Sequence, residues 1–171
     1  DLFASPPQPV VQGSAGAGLD PAGRVVSELE ELAFGSDGYE EALDLRYRIL
    51  RKPLGVEWTD EERSWEPRER HFGLRVGGVL VACVSIRPLN PGCVKLRQMA
   101  VELPRQGTGL GRMMLEQLEE VLRADGVREI ELNARHIATG FYQRLGYRVE
   151  GEPFSEVGII HRSMRKVLDE G

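Results

Sequence analysis

Gln106-Gly107-Thr108-Gly109-Leu110-Gly111 places glycines at alternate positions directly ahead of a strongly helical run, Leu110 to Leu122. A glycine-rich turn that opens a helix is an anion site. The first N–H groups have no acceptor within the helix, and the helix dipole adds partial positive charge. Glycine lets the backbone approach a phosphate with no Cβ in the way. The spacing narrows the phosphate. A nucleoside-triphosphate loop needs Lys and then Ser or Thr after its last glycine; Arg112-Met113 stands there instead. A dinucleotide loop needs Gly-x-Gly-x-x-Gly, and Gly107-x-Gly109-x-Gly111 is one residue short. Glu129 and Glu131 do follow at about the distance of a ribose ligand, roughly twenty residues. They fall at the start and middle of their strand, however, and too little chain remains for further parallel strands. A nicotinamide-dinucleotide oxidoreductase is thus the weaker alternative.

The elements around the loop must position it. Phe72–Val76, Gly77-Gly78 and Val79–Arg87 read as a hairpin with a two-glycine turn. Pro88 to Gly92 is a second turn, leading into a strand over Cys93–Val101. After the loop, Leu110, Met113, Met114, Leu118, Val121 and Leu122 share one helical face, and Asp125-Gly126 ends it. Then come a strand over Glu129–Leu132, a helix over Ile137–Leu145 closed by Gly146, and strands over Tyr147–Glu150 and Ile159–Val167. The stretch from 94 to 132 is long enough for a parallel crossover. Upstream, Val25–Phe34 reads as a short strand or helical turn. Ala42, Leu43, Leu45, Tyr47, Ile49 and Leu50 give a broad helical face ended by Pro53 and Gly55. Thr59–Arg70 is a capped, charged segment interrupted by Pro67. The fold class is α/β: a mixed, mostly antiparallel sheet flanked by helices. Asp1 to Arg24, rich in Pro, Gly, Ala and Ser, reads as a flexible extension, with the domain over 25–171.

The motifs together resemble one family. Gln106-x-x-Gly109-x-Gly111 resembles the coenzyme A pyrophosphate loop of the GNAT N-acetyltransferase superfamily. Met99-Ala100-Val101-x-x-Pro104 resembles the end of that superfamily's fourth strand. Ala138-x-x-Phe141-Tyr142-x-x-x-Gly146-Tyr147 resembles its later helix and following strand. Glu156-x-Gly158-Ile159-x-His161-x-x-Met164 is similar to the ending of a small bacterial branch of predicted acetyltransferases. The resemblance covers roughly Tyr39 to Leu168.

It implies a V-shaped opening between the fourth and fifth strands, where pantetheine lies like an added strand. Met99 N–H would polarise the acetyl carbonyl, and Val101 would bond the pantetheine arm. The N–H groups of Gln106, Gly107, Thr108, Gly109, Leu110, Gly111 and Arg112 would cradle the pyrophosphate. Tyr142 would be the general acid, giving a proton or hydrogen bond to the departing thiolate. Two positions depart from the pattern. Lys95 stands where histone-modifying members carry a glutamate base, and Arg135 where others carry a pantetheine-binding asparagine. His161, Glu156 and His71 are the candidate bases; His136 reads as a solvated helix start. The implied reaction is direct transfer from acetyl-CoA, in a ternary complex, to a primary amine of a small molecule or peptide. The acceptor would approach over Tyr39–Arg70. A module that binds acyl-CoA without chemistry is the other alternative.

Composition bounds the partners. The 171 residues suit one domain, with 41% hydrophobic and 29% charged residues, as in a globular protein. A net charge of −5 speaks against non-specific nucleic-acid binding. Cys83 and Cys93 make no disulfide framework and read as reduced core residues. No His/Cys/Asp/Glu cluster has metal-ligand spacing, so no metal is expected. No apolar run spans a membrane and no leader pattern opens the chain. The expectation is a cytoplasmic monomer or homodimer.

Overall fold

The computed structural model describes residues 18–168. Alternation of side chains writes the sheet. Along β5 (Val79–Asn90), Ala82, Val84 and Ile86 pack into one core cluster while Cys83 packs into a second on the opposite face. The other strands are β1 (Gly18–Leu19), β2 (Val25–Val26), β3 (Glu30–Leu32), β4 (Arg70–Val76), β6 (Cys93–Val101), β7 (Glu129–Arg135), β8 (Arg148–Glu156) and β9 (Ile159–Val167). They form one sheet in the order β1-β2-β4-β5-β6-β7-β9-β8, with β3 also paired to β4. Of these pairings, β6 with β7 is parallel and the others are antiparallel. That single parallel pair is the expected crossover.

Helices cover both faces. α1 (Asp37–Arg46) is capped by the Ser36 hydroxyl, which accepts from Tyr39 N–H at 3.2 Å, and it buries Ala42 and Leu45 against Cys83 and Ala100. A π-helical turn over Tyr47–Arg51 continues it. Gly55, at φ 64°, ends the following turn. α2 (Asp60–Trp65) opens on a reciprocal Thr59–Glu62 capping box. α3 (Leu110–Ala124) buries Leu110, Met114, Leu115, Leu118 and Leu122 against Val94, Leu96, Ile130 and Leu132. Each such leucine contributes about 1.5–3 kcal/mol of burial. α4 (Thr139–Arg144) follows a short 3₁₀ turn over His136–Ala138. No helix among the described residues is long and apolar enough to cross a membrane.

The structure redraws several sequence boundaries. Pro88 lies within β5, opposite Val94, and the turn tightens to Pro91-Gly92. A register irregularity between Pro88 and Asn90 tolerates the missing donor. β7 runs on to Arg135 and β8 to Glu156, while the helix expected over Ile137–Leu145 is α-helical only over Thr139–Arg144. Residues 18–24, expected within the extension, form a hairpin that joins the sheet through Val26 and Val76. Asp20 fixes it, accepting from Arg105 Nη1 at 2.9 Å and Arg24 Nε at 3.0 Å. The Arg105 hydrogen bond, with help from Arg24, holds the Asp20 carboxyl down to about 2. The rest of the expected extension, 1–17, lies outside the described residues.

Candidate active site

β6 and β7 are the strands that the resemblance numbers fourth and fifth. They pair only from Cys93–Glu129 to Lys95–Glu131. Beyond that point they part, and a cavity of about 910 Å³ lies between Leu96–Val101 on one side and Leu132–Arg135 on the other. A bulge shapes the β6 wall. Ser85 pairs with Arg97 but Cys83 pairs with Ala100, so β6 holds one residue more than β5 there. Gln98 absorbs the excess at φ 54°, a left-handed conformation that costs a residue with a Cβ about 1–2 kcal/mol. Bulges re-aim backbone groups beside active sites. Neither Gln98 nor Met99 has a register partner on β5 or β7.

Val101 is aimed by the ladder. Glu102 N–H donates to the Val81 carbonyl at 2.8 Å. The next pair inward, Val101 with Ala82, is therefore non-hydrogen-bonded, and the Val101 N–H and C=O point away from β5 into the opening. Its carbonyl accepts there from Gln106 Nε2 at 3.1 Å.

The glycine loop closes one end of the opening. Gly107 and Gly109 sit at φ 78° and 87°, and a Cβ on either would meet nothing within 4 Å. The loop face is thus open as well as left-handed. The first helical bond of α3 runs from Met113 N–H to Gly109 O at 3.0 Å. The Leu110, Gly111 and Arg112 N–H groups ahead of it have no acceptor inside the helix. Gln106 departs from expectation, because its own N–H turns to the Leu103 carbonyl at 3.3 Å. Its contribution here is the side chain. The Thr108 hydroxyl bonds the Arg105 carbonyl and fixes the turn. At Gly111 a Cβ would lie 2.9 Å from Met99 Cε and 3.3 Å from Phe141 Cζ, so glycine lets α3 dock on both. A smaller cavity of about 330 Å³ lies over this loop. It shares Met99, Val101, Gln106 and Phe141 with the larger one, which makes a continuous channel.

Tyr142 lines the larger cavity beside Met99. It is buried, its Oη lies 3.6 Å from Met99 Sδ, and its ring meets Phe141 and Tyr147 edge-on. Burial pushes its phenol up to about 12, so the hydroxyl keeps its proton at any working pH. His161, Glu156 and Arg135 also line the larger cavity. His161 sits opposite Arg135 in register, with Nδ1 2.8 Å from Ile159 O and Nε2 3.8 Å from Glu156. With Nδ1–H given to the carbonyl, Nε2 is the free basic nitrogen. His71 is excluded as a base. It is buried, with Nε2 2.9 Å from the Glu66 carbonyl and Nδ1 2.8 Å from Ser85 Oγ, and burial lowers its pKa.

Some of the charges expected along the acceptor approach are instead internal. Arg46, Glu66 and Glu69 are buried, whereas Arg51, Glu61 and Glu62 line the cavity. Trp65, Arg97 and Arg144 also line the channel and were not singled out from the sequence. Two signals were present. Arg97 alternates with Lys95 along β6, and Arg144 follows Phe141 by one helical turn.

A model of the acetyltransferase (GNAT) family matches residues 24–147. The chain belongs to this family. GNAT enzymes move an acetyl group from acetyl-CoA to an amine, and this chain is accordingly an acetyl-CoA-dependent N-acetyltransferase. The family assignment removes the dinucleotide alternative. Among its GNAT relatives, the uncharacterized N-acetyltransferase YitI of Bacillus subtilis is 29% identical over 136 residues, spanning 75% of this chain and 91% of YitI. A putative N-acetyltransferase from Lactobacillus plantarum superposes with a TM-score of 0.72 at 20% identity, covering 83% of this chain and 99% of that one. An aminoglycoside 6′-N-acetyltransferase solved with coenzyme A superposes with a TM-score of 0.67 at 16% identity, covering 82% and 97%. These two likenesses establish the GNAT fold.

Proposed function

We propose that the acceptor amine attacks the acetyl carbonyl directly, in a ternary complex, where β6 and β7 part. The convergence of the Gln98–Met99 bulge with the Tyr142 hydroxyl, where Met99 borders both cavities, carries this reading. Met99 N–H stabilises the developing oxyanion, an effect of a few kcal/mol in catalysis. Val101 N–H bonds the pantetheine arm, and Arg135 borders it. The N–H groups of Gly107 to Arg112 hold the pyrophosphate, with Arg112 and Arg144 beside it.

The C–N bond forms as the carbonyl π pair moves onto oxygen, and the C–S bond breaks as that pair returns and C=O re-forms. His161 Nε2 accepts the amine proton, and Glu156 stabilises the imidazolium. The leaving thiolate is the conjugate base of an alkyl thiol, a stronger acid than a phenol raised to about 12. Such a phenol does not surrender its proton to it outright. Tyr142 therefore works chiefly as a hydrogen-bond donor to the thiolate, and the proton that completes the thiol derives from the amine.

Neither cysteine offers a nucleophile for a covalent acetyl-enzyme. Cys83 is buried, with its thiol pushed up to about 12 by burial, and Cys93 is raised in the same direction for the same reason. Neither lines the cavity. Intact-mass spectrometry after incubation with acetyl-CoA alone is expected to show unmodified protein, while an accepted amine releases CoA thiol. A stoichiometric acetyl-protein formed before amine is added would overturn direct attack.

A further inference from the structure

The β5–β6 wall of the acceptor cavity is cationic. Arg87 pairs with Lys95, and Arg97 follows two residues on, so the three project from one sheet face. All three line the cavity. Their compensation is small. The fully buried Glu69 carboxylate accepts from Arg87 Nε at 2.8 Å and lies 3.5 Å from Arg97 Nη1, so one acid serves two guanidiniums. Lys95 has no ion-pair partner among the described residues. Glu131, opposite it on β7, is bonded by Arg165. On the facing walls, Glu62 is tied to Arg51 and Glu156 sits by His161, which leaves Glu61 on α2 as the unpaired acid.

We infer that the acceptor amine also carries an anionic group, a carboxylate or a phosphate, that Arg97 and Lys95 hold while the amino group reaches the acetyl carbonyl at Met99. This rests on the acetyl-transfer reading above. Arg97 precedes Met99 by two residues across the Gln98 bulge, and both line the same cavity, so a small bifunctional molecule bridges them. Guanidinium and ammonium donors bind carboxylate and phosphate through charge-assisted bonds. The same cations disfavour the acceptor's ammonium form, so the neutral, nucleophilic amine is favoured in place. A polyamine finds no counter-charge on this wall.

The test measures CoA thiol release with matched acceptors: glycine against glycinamide, phosphoethanolamine against ethanolamine, and spermidine. The anionic member of at least one pair is expected to exceed its neutral match in kcat/KM by roughly ten-fold or more. Which pair shows the gap tells carboxylate from phosphate. The gap should shrink in both Lys95→Met and Arg97→Gln, with acetyl-CoA affinity measured by calorimetry unchanged as a check on folding. Neutral amines or spermidine turned over as well as the anionic acceptors would overturn the inference and leave acetyl transfer standing. So would a gap that survives both substitutions. Acetyl-CoA binding without thiol release from any of these amines would overturn the inference and the catalytic reading together.

Discussion

Tyr142→Phe is expected to lower kcat about a hundred-fold, equivalent to about 2.7 kcal/mol of transition-state stabilisation. The KM for acetyl-CoA should hardly move, because the hydroxyl meets the sulfur only as the C–S bond breaks. Stability should hardly move either. The described contact of the hydroxyl is Met99 Sδ at 3.6 Å, a weak acceptor, and a phenylalanine ring keeps the packing against Phe141 and Tyr147. Steady-state thiol release and a thermal melt on one preparation separate these effects. A variant with wild-type kcat would remove Tyr142 from the chemistry. A variant that loses stability in proportion to activity would make it a packing residue.

The second large effect lies at buried Glu66, next in the chain to Trp65, which lines the larger cavity. Glu66 accepts from Arg46 Nη1 at 2.8 Å, Arg46 Nη2 at 3.1 Å and Tyr39 Oη at 2.7 Å, all buried. Burial alone would raise the Glu66 carboxyl. The hydrogen bonds and charge of Arg46, with the Tyr39 hydroxyl, outweigh it and hold the group below the ordinary carboxylate range. Glu66→Gln leaves the Arg46 cation buried against a neutral amide. The expected loss is about 3 kcal/mol or more, read as a lower urea midpoint at unchanged slope. Replacing both partners with apolar residues, Arg46→Met with Glu66→Leu, should cost less than Glu66→Gln alone, because no charge is then stranded. A loss below about 1 kcal/mol in Glu66→Gln would mean that the pair is solvated and contributes no more than a surface bridge.

How much of this was legible in the sequence follows from the range of the forces involved. The turn of the Gly107–Gly111 loop into α3 was, since left-handed glycines and helix starts are local features. So was the packing side of α3, because a period of 3.6 repeats over several turns. The Phe141-Tyr142 pair was legible only through family resemblance; nothing local distinguishes Tyr142 from any buried tyrosine. The bulge at Gln98 left no trace, because a bulge depends on what β5 places opposite it. The burial of Arg46, Glu66 and Glu69 was equally hidden. Their charges suggest solvent, and their compensation comes from partners far along the chain, as between Arg46 and Glu66. Pro88 suggests a turn because proline usually ends a ladder; its place beside a register irregularity is a tertiary fact. His71 looked like a base on residue type alone, until the Glu66 carbonyl and Ser85 hydroxyl occupied both ring nitrogens.

In the proposed reaction the parted β6 and β7 hold the acetyl group between Met99 and Tyr142, with the phosphates on the glycine loop. A crystal structure with acetyl-CoA bound tests this most directly. It should show pyrophosphate oxygens within hydrogen-bond distance of the Gly107–Arg112 N–H groups, the acetyl oxygen on Met99 N–H, and the sulfur facing Tyr142 Oη. Pantetheine lying outside the opening, or a thioester turned away from Met99 and Tyr142, would contradict it.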